Sequence, residues 1–235
     1  MKILAVILAR KGSKRLKNKN LIYLNKKKLI NHTFDLLKTC NLFTDTIVSS
    51  NDNRILNIAK KYKNFISVLR PESLSSDGIH PYKVTMHACK VHQKPVDGIF
   101  VFQPTSPLRK IETIKKMINI FKKNKMKNSV VSVSKVEEHP EWMLEIKKGF
   151  IKPLDSFKAY TKMSQKLKNL YRVNGLGYLI TPKELFKEKT LVPKSALASI
   201  CDSSFESIDI DTADDFLKAK SYVNYLNKNK KIDIT

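Results

Sequence analysis

Between the apolar run Lys2 to Leu8 and the next apolar segment, Leu21 to Leu24, lies Ala9-Arg10-Lys11-Gly12-Ser13-Lys14-Arg15-Leu16-Lys17-Asn18-Lys19-Asn20, rich in lysine and arginine, with one glycine and no carboxylate. Such a loop suits a polyphosphate, because its lysine and arginine side chains supply positive charge while Ser13 and the backbone N–H groups around Gly12 supply neutral donors. It is neither a P-loop nor a dinucleotide fingerprint, since Gly-x-x-x-x-Gly-Lys-Ser/Thr and Gly-x-Gly-x-x-Gly are both absent. A solvated basic loop is the competing reading on a lysine-rich chain.

Asp209 and Asp211 alternate with Ile208 and Ile210, so in an extended chain both carboxylates face one side and both isoleucines the other. The pair can hold a hard cation such as Mg²⁺. Alternatively, Asp211 caps the next helix and Asp209 offsets some of the lysines. A phosphate clamp and a carboxylate pair are complementary halves of a phosphoryl- or nucleotidyl-transfer site. Gln103-Pro104-Thr105-Ser106-Pro107-Leu108-Arg109, stiffened by its prolines, can offer Gln103 to a base and Arg109 to a structural or ligand anion. Arg70 either contacts a nucleotide or pairs with Asp77. None of the histidines is assigned a catalytic role: His32, His87 and His92 fall in helices, and His80 and His139 beside prolines. Trp142 reads as an interface or core anchor.

The elements that must position these groups alternate in type. Lys2 to Leu8, Thr46 to Ser50, Phe65 to Leu69, Gly98 to Phe102 and Ser129 to Val133 have strand character; Leu29 to Leu42, a segment capped by Asn51 or Asp52 and running to Tyr62, His80 to His92 and Ile111 to Lys123 have helical character. Parallel strands joined by helical crossovers predict an α/β fold, doubly wound around a mostly parallel sheet with helices on both faces. The basic loop then emerges at a strand's carboxyl end, where open α/β sheets bind ligands. The rhythm breaks after Ser134. Glu137 to Arg172 reads as an insertion, with two short strands meeting near Gly149 and a projecting helix. Beyond it, Tyr171 to Ile180 is a strand, Ser207 to Asp211 a last strand edge, and Thr212 to Leu226 a helix with a Thr212-x-x-Asp215 capping pattern. Residues 227–235 form a polar tail.

A chain of 235 residues, 42% apolar, supports one sizeable core and is read as one domain, residues 1–226. The net charge of +24 favours anionic partners, yet lysine is spread through nearly every segment rather than gathered into a stripe. A nucleic-acid-binding protein is the rival reading from another class, but it needs a contiguous basic face or an aromatic platform. Cys40, Cys89 and Cys201 are odd in number and far apart, which disfavours a disulfide framework or a zinc site and favours a reducing cytoplasm. No apolar window is long enough to span a bilayer, and the run after Lys2 is too short for a signal peptide.

Five segments in order, namely Leu8-Ala9-Arg10 with Gly12-Ser13-Lys14 and Lys19-Asn20, Leu69-Arg70-Pro71, Gln103 to Arg109, Arg172-x-Asn174-Gly175 and Ser207 to Thr212, resemble the acylneuraminate cytidylyltransferases. The resemblance implies a fold of the nucleotide-diphospho-sugar transferase type and transfer of the cytidylyl group of CTP to the anomeric hydroxyl of a nine-carbon 2-keto sugar acid. It further implies Arg10, Lys19, Asp209 and Asp211 as catalytic residues, with Ser13, Lys14, Asn20, Arg70 and Gln103 as further nucleotide contacts. Gln103, Arg172 and Asn174 would contact the sugar substrate, and Asp209 and Asp211 would hold Mg²⁺, for which Mn²⁺ can substitute. The insertion, about residues 137–172, would build a homodimer. Neither nucleic acid nor membrane is implied as a partner. Departures from the family pattern cluster in that insertion, at Glu141-Trp142 and Ser164-Gln165-Lys166-Leu167-Lys168, so legionaminate, pseudaminate and the eight-carbon acid Kdo remain alternative acceptors.

Overall fold

The N-terminal apolar run forms β1 (Ile3–Leu8), in which Ile3 to Ile7 are at most 1% exposed because helices cover both faces of the sheet. The computed structural model describes residues 1–154, 156, 157, 160 and 167–229. A short ribbon of β2 (Tyr23–Leu24) and β3 (Lys27–Lys28) follows β1 and leads into α1 (Leu29–Thr39). Strands and helices then alternate through β4 (Asp45–Ser50), α2 (Asn53–Ala59), β5 (Phe65–Leu69), α3 (Pro81–His92), β6 (Gly98–Phe102), α4 (Ile111–Lys123) and β7 (Val130–Lys135). A hairpin of β8 (Leu144–Lys147) and β9 (Phe150–Pro153) precedes β10 (Tyr171–Ile180), α5 (Pro182–Glu188), β11 (Leu197–Ile200) and α6 (Ala213–Asn229).

The seven-stranded sheet has the order β11-β7-β10-β6-β1-β4-β5. Every pairing in it is parallel except the two made by β10. Ile3, Ala5 and Ile7 pack with Phe34 of α1, Ile55 of α2 and Phe121 of α4, while Leu4 and Val6 pack with Ala88 of α3 and Leu185 of α5. The sheet is therefore doubly wound, as the alternation predicts. From β1 the chain steps outward to β4 and β5, then crosses back to β6 on the other side of β1. The gap between the carboxyl ends of β1 and β6 is thus a topological switch point, the place where such sheets leave a crevice.

Ser207 to Asp211 joins no strand ladder, contrary to the expected strand edge. The Ile210 N–H donates to Thr105 O at 2.8 Å, and Ile208 and Ile210 pack with Leu108 and Val223 in a satellite cluster under α6. The alternation thus reports which way the side chains face, and the edge strand is instead β11, which the sequence reading did not anticipate. Nor did it anticipate α5. Helix α1 stops at Thr39 and α2 at Ala59, short of Leu42 and Tyr62, whereas α6 continues to Asn229. Asp52 caps α2 by accepting from the Arg54 N–H at 3.0 Å, and Thr212 and Asp215 form the expected reciprocal cap of α6. The hairpin turns at Gly149, as expected. Ser164, Gln165 and Lys166, much of the segment expected to hold a projecting helix, and residues 230–235 of the tail lie outside the described residues.

Glu184 ties the sheet to α5. Its Oε2 accepts from Ser129 N at 2.8 Å and Thr181 Oγ1 at 2.8 Å, and its Oε1 accepts from Ser195 Oγ at 2.5 Å, joining the start of β7 to the end of β10. Burial opposes its ionisation, but these donors, Ser129 foremost, hold its carboxyl below the usual range. A depressed folded-state value adds stability that is present above the unfolded value, near 4.3, and is lost as pH falls through the folded one. Glu184→Gln should therefore cost about 1–3 kcal/mol by urea unfolding at pH 7, since an amide N–H₂ then faces buried donors. The gap from wild type should narrow as the buffer is taken below pH 4 or so.

Candidate active site

The crevice at the switch point is an open cleft of about 270 Å³. Its walls are Leu8, Arg10, Gly12, Ser13, Lys19 and Asn20 from the end of β1 and the loop beyond, Arg70 after β5, Pro81 and Val84 of α3, Gln103 to Thr105 after β6, and Asp209 with Asp211. Sequence-distant motifs meet here because the carboxyl ends of parallel strands all deliver their loops to one edge of the sheet. Pro81, at the first position of α3, also brings that helix's positive end to the cleft.

The basic loop is folded on itself. Gly12 turns it at φ +77°, Asn20 Nδ2 donates to Arg10 O at 3.0 Å, and the Lys11 N–H donates to Asn51 Oδ1 at 2.7 Å. Arg10 and Lys14 both pair with Asp77, at 2.5 and 2.9 Å. Arg70 does not pair with Asp77. It is buried, and its Nη2 and Nε donate to Ser49 O at 2.9 Å and Ser49 Oγ at 3.3 Å. Burial, then the charge of Arg10, lowers its pKa to about 10, which leaves it a fixed cation at neutral pH.

The two carboxylates differ in state. Lys19 Nζ lies 2.5 Å from Asp211 Oδ1, and Arg15 Nη2 2.5 Å from Asp211 Oδ2. Burial works against Asp211, but Lys19 and then Arg15 outweigh it and hold the carboxyl below its ordinary range. Asp209 is more enclosed: burial pushes its carboxyl up, a hydrogen bond from the Thr105 side chain opposes that push, the Asp211 charge adds to it, and Oδ1 is buried with no hydrogen-bond partner among the described residues. An orphaned carboxylate oxygen beside a second carboxylate fits a hard divalent cation that completes its shell with water and phosphate oxygens. Among the described residues no group of three or more His, Cys, Asp and Glu is placed to hold a metal by itself.

Opposite Asp209, β10 carries an irregularity between Val173 and Tyr178. Asn174 holds it: its Oδ1 accepts from Ser132 Oγ at 2.6 Å and Leu176 N at 3.1 Å, and its Nδ2 donates to Ser134 Oγ at 2.9 Å. The result is Gly175 at φ +73°, where an added Cβ would stand 3.3 Å from Gln103 Oε1 and 3.4 Å from Asp209 Oδ2. Such an irregularity re-aims backbone toward a site. Asn174, expected to contact the substrate, is buried and not among the cleft-lining residues, and its side chain supports the irregularity. Arg172 is exposed at the outer end of β10 and also absent from its own chain's cleft wall. Lys14 borders a neighbouring recess. Among the described residues Arg109 pairs with no side-chain anion: it donates to Leu176 O at 2.6 Å and Gln103 O at 3.2 Å, fixing the Gln103 turn. His139 is engaged through both ring nitrogens, with Lys168 O and Glu141 N, so it too is structural. The sequence reading missed the apolar wall of Ile79, Pro81 and Val84, for which the Pro directly before a helical run was the available signal, and the pairing of Arg15 with Asp211.

A switch-point cleft lined by cations and by two carboxylates, on this sheet, has the parts of a nucleotidyltransferase site. Residues 4–147 match the family model described as cytidylyltransferase. The chain belongs to that cytidylyltransferase family. It is 34% identical over 223 residues, 92% of this chain and 94% of the relative, to CMP-N,N'-diacetyllegionaminic acid synthase of Legionella pneumophila. It is 28% identical over 237 residues to N-acylneuraminate cytidylyltransferase of Escherichia coli, spanning 97% of this chain but about half, 54%, of that longer protein. The structure of CMP:2-keto-3-deoxy-manno-octonic acid synthetase complexed with CTP superposes with a TM-score of 0.68 at 14% identity, covering 96% of this chain and 99% of that one, a likeness of fold. Among the described residues no helix is long and apolar enough to cross a membrane.

Proposed function

We propose that this chain transfers the cytidylyl group of CTP to the anomeric hydroxyl of a nine-carbon 2-keto sugar acid of the acylneuraminate type, giving a CMP-sugar and pyrophosphate. The observation that carries the reading is the gathering of Arg10, Ser13, Lys19 and Gln103 with Asp209 and Asp211 around one cleft. The anomeric hydroxyl attacks the α-phosphorus and gives up its proton to solvent water, the bond from that phosphorus to the β-phosphate bridge breaks, and pyrophosphate departs. Arg10 and Lys14 neutralise the β- and γ-phosphates, Lys19 and Ser13 steady the charge nearer the α-phosphate, and Asn20, Arg70 and Gln103 hold the nucleoside end. Because Ser49 already fixes Arg70 and Asp211 fixes Lys19, little reorganisation of these two cations is needed as charge develops. Asp209 and Asp211 would hold Mg²⁺, or Mn²⁺ in its place, which when bound orients the α-phosphate and draws charge from it. Three free cysteines accord with work in a reducing cytoplasm.

Among acceptors, the 34% identical relative favours a legionaminate-type acid. Steady-state kcat/KM measured with CTP against N-acetylneuraminate, legionaminate, pseudaminate and Kdo tests this. A nine-carbon acid should lead, and preference for Kdo would contradict it.

The insertion supports a homodimer. Ile146 and Ile151, paired across the hairpin, are 76% and 59% exposed on one of its faces and Phe150 is 79% exposed on the other, with Leu154 and Phe157 also exposed just beyond, a concentration of uncovered apolar side chains. Arg172 is not among the residues that line its own cleft and lies at the start of β10, where the insertion rejoins the sheet, so in a two-fold dimer it would reach the partner's site and meet the sugar carboxylate or a phosphate. Mixing Asp211→Asn with Arg172→Ala protein should restore activity, because one site of each hybrid keeps both wild-type residues. No recovery after confirmed subunit exchange would confine Arg172 to its own chain, and a monomer in sedimentation would reject the dimer.

A further inference from the structure

The segment between β5 and α3 lends one carboxylate to the basic loop. Gly78, at φ +85°, turns the chain there, and Asp77 before it reaches across to the residues that follow β1. Its Oδ1 lies 2.5 Å from Arg10 Nη1 and its Oδ2 2.9 Å from Lys14 Nζ, so each oxygen accepts from a different cation. Arg10, Gly12, Ser13, Lys14, Ser75 and Asp77 surround a recess that shares Arg10, Gly12 and Ser13 with the main cleft. A carboxylate bridging two cations at this spot has the shape of a bound phosphate edge.

We propose that Asp77 is an exchange anion: with no nucleotide bound its carboxylate stands in for the terminal phosphates between Arg10 and Lys14, yields to them when CTP enters, and competes with pyrophosphate for the same cations after transfer. This rests on the reading of the cleft as a CTP site and deepens it by assigning a subsite for the leaving group and a means of emptying it. Asp77 is a positioning residue, since its partners are side chains and not reacting atoms. The exchange is easy in one direction because the pairs are exposed, with Arg10 and Asp77 each 41% and Lys14 84% accessible, and exposed pairs hold weakly. A polyphosphate carries several charges against the single charge of Asp77 and displaces it. The displaced carboxylate stays nearby, tethered between β5 and α3, where its like charge loosens the product. Release of product sets turnover in many enzymes, and here that release would be assisted from within.

Calorimetric titration of inorganic pyrophosphate and of CMP into wild type, Asp77→Asn, Asp77→Ser and Arg10→Ala tests the exchange. Both Asp77 variants should bind pyrophosphate about tenfold more tightly while CMP affinity stays within about twofold, and Arg10→Ala should weaken pyrophosphate. If Arg10→Ala weakens pyrophosphate but the Asp77 variants bind it no more tightly than wild type, the exchange is overturned and the CTP site stands. Equal tightening for CMP, or tightening by Asn and not by Ser, likewise overturns it, the first as a general field effect and the second as a new amide contact. Pyrophosphate binding indifferent to Arg10→Ala removes the phosphate site itself and the exchange with it.

Discussion

Asp209→Asn is expected to lower kcat by roughly 10²–10³-fold, the usual loss when one group that stabilises developing charge is removed. The same substitution should leave the melting temperature unchanged or raise it. In the folded chain Asp209 is a buried carboxylate with an unpartnered Oδ1, next to the second negative charge of Asp211. Asparagine keeps the shape and removes a charge that burial penalises. A residue whose loss costs activity but not stability is retained for chemistry. Parallel thermal melts and initial rates decide the matter: a large fall in melting temperature would make Asp209 a structural support, and near-normal turnover would remove it from the reaction.

The second large effect is expected at Arg10. Its guanidinium lines the cleft and is held by an exposed carboxylate, not by the core, so truncation should spare the fold. A charge-assisted contact to phosphate contributes about 1.5–3 kcal/mol, so Arg10→Ala should lower kcat/KM for CTP about 10–100-fold. The KM for the sugar acid should hardly move, because the change lies at the phosphate end of the cleft. Initial rates with each substrate varied in turn separate the two. A loss shared equally by CTP and sugar acid would mean that Arg10 acts on the fold or on both substrates.

Much of this arrangement is legible in the chain because parallel sheets write their order locally. Each strand enclosed on both faces is a continuous apolar run, as in Ile3–Leu8 and Gly98–Phe102, and each crossover helix shows its own period, as in Ile111–Lys123. The loops after those strands then collect at one edge without further information, which brings Arg10, Arg70 and Gln103 together. What depends on non-local partners was not legible. Ser207 to Asp211 has the alternation of a strand, but its neighbour is the Thr105 turn and not another strand, so only the facing of its side chains survives. Leu197–Ile200 is a strand because β7 lies open beside it, a fact held by residues Val130 to Val133 and not by its own four. Asn174 shows the same limit at the site: the resemblance implies a substrate contact for it, whereas Ser132 and Ser134, 42 and 40 residues earlier, take up its hydrogen bonds. Their use in holding Gly175 against Gln103 and Asp209 appears only once β10 is set beside β7.

The central claim is that this cleft joins a cytidylyl group to a keto sugar acid. Purified protein incubated with Mg²⁺, a nine-carbon 2-keto sugar acid and each of CTP, UTP, ATP and GTP in turn, followed by phosphorus NMR and mass spectrometry, tests it most directly. With CTP, one pyrophosphate should appear for each CMP-sugar, whose single phosphorus lies in a diester, and the other nucleotides should give little product. Pyrophosphate formed without a CMP-sugar, equal product from all four nucleotides, or no reaction with CTP across the acceptors named above would contradict the account.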